Sequence, residues 1–174
     1  MAGSSITTVS GDPSLAPIVA AWIVGALFDF PGGYTVEEMT ALILAPADGP
    51  KETFVLFDND QPVGTAALIP ADLDSRPDLT PWLAGLFVEP LFRGCGHGTS
   101  LIHRVETFAA EASVPVLWLY TAKAEALYAR LDWERAGMEE DRGEPVVLMR
   151  RVLTAQRSIA AVAASPPVPS GSAT

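Results

Sequence analysis

The sequence predicts a mixed α/β (α+β) domain built on one central sheet, and three observations carry that prediction. Two helical patterns open the chain, and a hairpin pattern follows them. The apolar run "WLAGLFV" (82–88) is typical of a strand that is covered on both faces. A glycine cluster, a helical pattern and a second buried run (114–120) come next, and this order is a βαβ unit with parallel strands. We therefore expect a mostly antiparallel sheet around a parallel βαβ core, with flanking helices.

The two opening helices carry recognisable start signals. Asp12 and Pro13 provide an N-cap followed by proline in the first turn, and apolar residues at helical spacing extend this helix to about residue 28. The segment "TVEE" (35–38) is a capping box, and it begins a second helix that ends near residue 45.

The remaining elements are short and alternate in type, and residues 70–81 form a polar, proline-rich connection between them. Residues 153–174 are rich in Pro, Ser and Ala, so we expect one domain over 1–152 and a disordered tail. The predicted elements are the hairpin strands 53–57 and 63–69, the strand 82–88, a helix ending near 112, the strand 114–120, a helix over 124–131, and the strands 133–138 and 145–152.

Composition and charge exclude several classes of protein. The net charge is −10, and residues 1–92 hold two basic and twelve acidic side chains, which disfavours a nucleic-acid partner. No apolar run approaches the roughly 20 residues of a membrane span, so no membrane partner is expected. Cys95 is the single cysteine and the N-terminus lacks the pattern of a signal peptide, which predicts a cytoplasmic location. Two histidines and one cysteine predict no metal site.

The cluster "RGCGHGT" (93–99) invites comparison with three anion-binding loops. A Walker A loop needs a lysine after its last glycine, and none follows Gly98. A dinucleotide-binding loop needs a glycine where Thr99 stands. The third pattern, Arg/Gln-x-x-Gly-x-Gly/Ala on a strand-to-helix turn, is met by Arg93, Gly96 and Gly98.

This stretch resembles motif A of the GNAT superfamily of acyl-CoA N-acyltransferases. The resemblance covers roughly residues 54–152, because "AEALYARLDWE" (124–134) also resembles the short helix near the family's C-terminus. It implies a GNAT-like fold and acetyl-CoA as co-substrate, with the coenzyme pyrophosphate held by backbone N–H groups of the loop and by the N-terminus of the next helix. The implied pyrophosphate-binding residues are Arg93, Gly94, Cys95, Gly96, His97, Gly98 and Thr99.

The resemblance also assigns residues to the reaction. Leu86, Phe87 and Val88 would run alongside the pantetheine, with the N–H of Val88 or a neighbour donating to the thioester oxygen. Tyr128 would contact the coenzyme beside its sulfur and act as general acid, and Glu89 is the candidate general base. For His97 we expect either a contact with the pyrophosphate or simple exposure.

Two positions depart from the family pattern. Thr121 stands where the family often has an asparagine that contacts the pantetheine, so that amide contact is lost. Asp132 and Trp133 replace a Gly-Phe pair after the short helix, and we expect Asp132 to adopt the left-handed conformation that ends it.

The resemblance implies an N-acetyltransferase that acts by direct attack of a primary amine in a ternary complex. Asp72, Asp74 and Asp78 precede Trp82 in a connection that borders the family's acceptor pocket, and they favour a small cationic amine as acceptor. A noncatalytic acyl-CoA-binding module on the same fold and a nucleotide-dependent oxidoreductase are the alternatives. A homodimer is the default expectation for the assembly.

Overall fold

The computed structural model describes residues 3–153, so the predicted tail lies outside the described residues from 154 onwards. The helices are α1 (Ala16–Leu27), α2 (Val36–Leu44), α3 (His97–Glu111) and α4 (Glu125–Arg130). Short 3-10 turns precede α1 (Pro13–Leu15) and follow the fourth strand (Pro90–Phe92). The strands are β1 (Ser4–Thr8), β2 (Glu52–Asp58), β3 (Gln61–Ile69), β4 (Trp82–Val88), β5 (Val116–Thr121), β6 (Glu134–Asp141) and β7 (Glu144–Val152).

All these strands form one mixed sheet in the order β1-β2-β3-β4-β5-β7-β6. Its neighbours are antiparallel except β4 and β5, which confirms the predicted parallel core. The ladder between β4 and β5 holds a single residue pair, Trp82 and Trp118, and the N–H of Trp118 donates to the carbonyl of Pro81 at 3.1 Å. The two strands therefore separate beyond Trp82, toward their carboxyl ends.

Each face of the sheet buries its own apolar cluster. The helices α3 and α4 cover one face, against side chains that include Leu117 and Leu119 of β5. The helices α1 and α2 cover part of the opposite face, and a smaller cluster around Trp82 continues that face beneath residues 70–81. Because side chains alternate along a strand, Tyr120 of β5 points to the α1 face and not toward α3.

A bulge in β4 lets α1 approach the sheet closely. Ala84 lies opposite Ala67 and Phe87 opposite Thr65, so β4 has one more residue than β3 between these pairs. Gly85 lies in the bulge with φ +63, and a Cβ built there would lie only 3.0 Å from the Cδ1 of Ile23 in α1. Glycine at this position allows both the left-handed backbone and the contact with α1.

The predicted elements are confirmed with shifts at their ends, and one strand was missed. The capping box at the start of α2 is present in full, with Thr35 and Glu38 bonding each other's backbone N–H. The strand β1 has no counterpart among the predicted elements, because this five-residue edge strand is largely exposed and has no apolar alternation. The predicted turn "EEDRGE" is wrong in its first residues, since β6 continues through Asp141 as a polar edge strand paired with β7.

Candidate active site

The glycine loop connects the end of β4 to the start of α3. After the turn Pro90–Phe92 the chain passes through Gly94 and Gly96, whose φ values are +77 and +81. Non-glycine residues rarely adopt such angles, so these two glycines are required by the path of the backbone. A Cβ at Gly98 would meet no heavy atom within 4 Å, and Gly98 has an ordinary helical backbone.

This loop presents a row of unused backbone donors. Among the described residues, none supplies a hydrogen-bond acceptor to the six consecutive N–H groups of residues 94–99. The N-cap of α3 is Gly96, which provides no side-chain cap, and the first turn of α3 carries no acidic residue. Exposed N–H groups at a helix N-terminus, with the positive end of the helix dipole behind them, favour an anion such as a pyrophosphate.

Arg93 braces the loop against the end of β4. Its Nε donates to the carbonyl of Val88 at 2.8 Å, and its guanidinium carbon lies 5.8 Å from the centroid of the Phe87 ring. The side chain is exposed, so its terminal nitrogens remain accessible beside the row of N–H groups. Arg93 therefore fixes the loop and adds positive charge at its rim.

For His97 the structure contradicts one of the two expectations, simple exposure, and the contact with the pyrophosphate stays a prediction. The imidazole is buried, with 10% of the side chain exposed, and its Nε2 lies 3.1 Å from the Oδ2 of Asp58 at the end of β2. Burial places the ring in the protein instead of at the surface, so the expectation of an exposed ring is wrong. The backbone N–H of His97 still belongs to the open row, whereas Cys95 is exposed within the loop.

The separation of β4 and β5 creates an opening directly beside this loop. The N–H of Glu89 donates to the carbonyl of Val63 in β3 at 2.7 Å. Hydrogen-bonded positions alternate along an antiparallel ladder, so the N–H of Val88 points away from β3 and into the opening. Leu86 and Val88 pack their side chains toward the α3 face, and Phe87 packs toward α1.

Tyr128 lies in α4 on the α3 face, buried at 6% exposure. Burial raises the pKa of its phenol to about 12, so the hydroxyl stays protonated throughout the neutral range. Its ring meets Trp133 edge to face at 6.0 Å, and no described residue supplies a hydrogen-bond partner to its hydroxyl. The phenol is thus held by packing and keeps its proton available to a ligand.

Both departures from the family pattern have structural roles around α4. The Oγ1 of Thr121 accepts a hydrogen bond from the N–H of Ala124 at 2.9 Å and so supports the start of the helix. Asp132 has φ +66, which confirms the expected left-handed end. The indole Nε1 of Trp133 donates to the Oε1 of Glu106 in α3 at 2.8 Å, which fixes the ring behind Tyr128.

Glu89 directly follows β4 and lies on the face of the sheet opposite Tyr128. Its Oε1 accepts a hydrogen bond from the Nε1 of Trp22 in α1 at 2.6 Å, and the group is half-buried. Trp22 also stacks on Phe87, with ring centroids 5.7 Å apart. The carboxyl ends of parallel neighbours meet at one edge of a sheet, so Glu89, which follows β4, and α4, which follows β5, lie at the same edge, with Glu89 on the α1 face and Tyr128 on the α3 face.

The connection 70–81 brings one of its three carboxylates into the protein. Burial, with the nearby carboxylates of Asp141 and Asp74, raises the pKa of Asp72 to about 7. Burial and the carboxylates of Asp72 and Asp141 also raise the pKa of the Tyr120 phenol. The Tyr120 ring packs edge to face on Trp82 at 6.1 Å, so this acidic and aromatic group lies on the α1 face, the same face as Glu89.

The other end of this connection is tied down by an arginine. Arg76 bonds Asp78 at 2.9 Å and reaches Glu139 of β6 at 3.0 Å. The hydrogen bond from Arg76 lowers the pKa of Asp78, because the guanidinium stabilises the charged carboxylate. Asp78 is therefore already paired with Arg76, whereas Asp72 is the carboxylate of this connection that is half-buried.

A cavity of about 360 Å³ also lies between the α1–α2 connection and the turn of the β6–β7 hairpin. Its aromatic rings already hold a cation of the protein itself, because the guanidinium carbon of Arg142 lies 4.7 Å from the Phe30 centroid and 5.4 Å from that of Phe28. The rings here therefore serve to hold the hairpin turn against the α1–α2 connection.

The structure thus brings the glycine loop, the end of β4, Tyr128 and Glu89 to one edge of the sheet. Trp22 and Asp58 were not among the predicted site residues, and they lie 67 and 39 residues from their partners. No local signal announces such contacts, because an indole on an apolar helix face looks like an ordinary core residue. Within residues 3–153, no helix is long and apolar enough to cross a membrane.

Comparisons with known proteins agree with this arrangement. The profile of the acetyltransferase (GNAT) family matches residues 21–137. Among solved structures, yncA of Salmonella typhimurium with its cofactor acetyl-CoA superposes at a TM-score of 0.68 with 16% identity, over 86% of this chain and 94% of that chain. A mutant of the spermidine N-acetyltransferase SpeG from Vibrio cholerae gives 0.68 with 17% identity, over 89% and 98%. An aminoglycoside 6'-N-acetyltransferase complexed with coenzyme A gives 0.66 with 17% identity, over 86% and 97%. No curated protein matches the sequence.

Proposed function

The chain belongs to the GNAT family of acetyltransferases, and from this premise we propose that it acetylates a primary amine of a small cationic molecule by direct attack in a ternary complex. Acetyl-CoA-dependent N-acetyl transfer is the activity of the chain, and acetyl-CoA is its co-substrate. The proposal concerns the acceptor, the residues that act and the order of events.

The observation that supports a coenzyme-dependent reaction at this edge of the sheet is the row of six N–H groups without partners among the described residues, beside the gap between β4 and β5. The residues fit coenzyme A, because the row and the uncapped N-terminus of α3 suit a pyrophosphate and β4 is not paired with β5 beyond Trp82. Residues 93–99 would hold the pyrophosphate, and residues 86–88 would line the pantetheine. Acetyl-CoA supplies the activated acetyl thioester.

The chain's own groups then complete the transfer. Glu89 takes a proton from the attacking amine, either directly or through one water, as its nitrogen bonds to the carbonyl carbon. The N–H of Val88 donates to the carbonyl oxygen, where negative charge develops. Tyr128 gives its proton to the sulfur as the carbon–sulfur bond breaks, and its high pKa keeps that proton in place until then.

Charge on the α1 face supports a cationic acceptor. Asp72 and Asp141 lie near Tyr120 on this face, and a carboxylate with a pKa of about 7 gains its charge when a cation binds beside it. Spermidine and aminoglycosides, the amines named for two solved structures of similar fold, are cations of this kind. A protein N-terminus is the second candidate acceptor, since a similar structure is a ribosomal-protein-S18-alanine N-acetyltransferase from Escherichia coli.

Release of free thiol from acetyl-CoA tests the acceptor directly. The panel pairs polyamines and aminoglycosides with neutral amines of similar size and with short peptides that have a free N-terminus. We expect the highest kcat/KM for small molecules with two or more positive charges. Equal rates with neutral amines would contradict the cationic class, and thiol release with peptides alone would favour the protein acceptor.

Two substitutions of Tyr128 test its role as general acid. Tyr128→Phe removes the hydroxyl and keeps the ring on Trp133, so kcat is expected to fall by about 100-fold while the KM for acetyl-CoA stays within about twofold. Tyr128→Ala also removes the packing and serves as the structural comparison. An unchanged kcat in Tyr128→Phe would exclude the general-acid role, and coenzyme binding without turnover in the wild type would indicate a noncatalytic module.

The cytoplasmic location and the homodimer both remain predictions. Sedimentation of the purified chain measures the assembly, and fractionation of cells that express it measures the location.

A further inference from the structure

The hydrogen bond between Trp22 and Glu89 joins α1 to the reacting edge of the sheet. The indole Nε1 lies 2.6 Å from the Oε1 of Glu89, a short distance for an N–H donor and a carboxylate. Among the described residues, the other oxygen, Oε2, has no hydrogen-bond or ion-pair partner. The two carboxylate oxygens of Glu89 therefore differ in their contacts, because Oε1 bonds Trp22 of α1 and Oε2 is free to accept a hydrogen bond.

The indole itself is held by two further contacts. Its ring stacks on Phe87 with centroids 5.7 Å apart at 32° between the ring planes. The next residue, Ile23, lies directly over Gly85 in the bulge of β4, where a Cβ would come within 3.0 Å of it. Two positions of β4 therefore hold this part of α1, Phe87 through Trp22 and Gly85 through Ile23, so the indole N–H reaches Glu89 from a preset direction.

An indole nitrogen can only donate, so it always presents the same hydrogen to the carboxylate. This bond fixes the rotation of the Glu89 side chain, and it uses the lone pair of Oε1 that faces α1. A proton arriving from the amine then forms its O–H bond at Oε2 as the N–H bond of the amine breaks. Because the indole already holds the Glu89 side chain, that side chain loses less conformational freedom when the acceptor binds.

We propose that Trp22 is a positioning residue for the general base, holding Glu89 by one oxygen so that the other receives the amine proton. This inference rests on the proposed role of Glu89. It assigns a function to α1, which the family pattern of residues 93–99 does not include.

A double-mutant cycle on kcat tests the inference, with Trp22→Phe, Glu89→Gln and the double variant in the full chain. Phenylalanine keeps a ring against Phe87 and removes the N–H. We expect Trp22→Phe to lower kcat about 10-fold with little change in the KM for acetyl-CoA, and to add no further loss in the Glu89→Gln background.

Each other outcome has a distinct meaning. An equal loss from Trp22→Phe in both backgrounds would overturn the inference, because Trp22 would then act independently of Glu89. Full activity of Glu89→Gln would overturn the role of Glu89 as base, and with it the inference, while leaving acetyl-CoA binding and the role of Tyr128 intact.

A spectroscopic measurement keeps the test independent of how Trp22→Phe folds. The indole N–H resonance that is lost in Trp22→Phe identifies Trp22 among the four tryptophans. This resonance is expected to shift upfield in Glu89→Gln, because a charged acceptor is replaced by a neutral one. An unchanged resonance would show that the indole does not bond Glu89 in solution, which would also overturn the inference.

Discussion

The helices α2 and α3 begin in opposite ways. The first turn of α2 is closed by its own side chains, since Thr35 and Glu38 form a reciprocal capping box and Glu37 adds a second acid. The first turn of α3 has Gly96 as its N-cap, with neither a side-chain cap nor an acid. Both helices have the same set of unpaired N–H groups at this end, so the difference lies in which group satisfies them.

The contrast separates a turn built for stability from one built for a ligand. Closing a helix start contributes about 1 kcal/mol, and α3 forgoes that contribution. The N–H groups of residues 94–99 have no hydrogen-bond partner among the described residues, which leaves them available to an anion. Exchanging the acidic residue and the glycine between the first turns of α2 and α3 therefore tests whether the uncapped N-terminus of α3 binds the coenzyme.

Placing an acid in the open turn should have the largest effect. Gly98 stands at the second position of α3, where α2 has Glu37, and a side chain there meets open space. We expect Gly98→Asp to raise the Kd of coenzyme A about 100-fold, because its carboxylate repels the pyrophosphate at close range. An acid in the first turn favours the helix, so the free energy of unfolding in urea should not fall.

The matched control removes the acid from the closed turn. Glu37→Gly is expected to destabilise the protein by about 1 kcal/mol and to leave the Kd of coenzyme A unchanged. Titration calorimetry and urea unfolding measure both quantities on each variant. Equal coenzyme affinity in Gly98→Asp and the wild type would show that the pyrophosphate lies elsewhere.

An intermediate effect is expected from alanine at the two loop glycines that differ in backbone conformation. Gly96 has φ +81, so Gly96→Ala strains the loop by about 1 kcal/mol and should weaken coenzyme binding about 10-fold. Gly98 has helical φ, so Gly98→Ala should stabilise the protein by roughly 0.5 to 1 kcal/mol with coenzyme binding nearly unchanged. The idea fails if the two variants behave alike in calorimetry and urea unfolding.

The smallest effect concerns the closed turn alone. Thr35→Ala removes the acceptor of the Glu38 N–H and should lower the free energy of unfolding by about 1 kcal/mol. The kcat and KM for acetyl-CoA should not change, since α2 provides none of the groups at the edge of the sheet. A raised KM would mean that α2 takes part in coenzyme binding after all.

Most of the fold was predictable because its signals are local. The capping box of Thr35 and Glu38, the apolar run of β4 and the left-handed Asp132 each follow from neighbouring residues. β1 and the end of β6 were not predictable in the same way, since both are polar edge segments that become strands through pairing with β2 and β7. Pairing of that kind depends on residues distant in the sequence.

The candidate site divides along the same line. Arg93, Gly96 and Gly98 lie within six consecutive residues, so the loop is recognisable from the amino-acid sequence alone. The partner of Glu89 depends on where α1 seats on the sheet, and the partner of His97 depends on how far β2 extends. Those contacts are set by tertiary packing, and no spacing in the sequence encodes them.

The single residue pair between β4 and β5 has a mechanical consequence. A continuous ladder would hold the two halves of the sheet at a fixed spacing, but within residues 3–153 backbone hydrogen bonds join β4 to β5 only near Trp82 and Trp118. Elsewhere the halves are joined by side-chain packing, which allows small rotations that a ladder resists. We therefore expect the two halves of the sheet to rotate slightly about the contact between Trp82 and Trp118. The distance between the carboxyl ends of β4 and β5 would then change when a substrate binds and leaves.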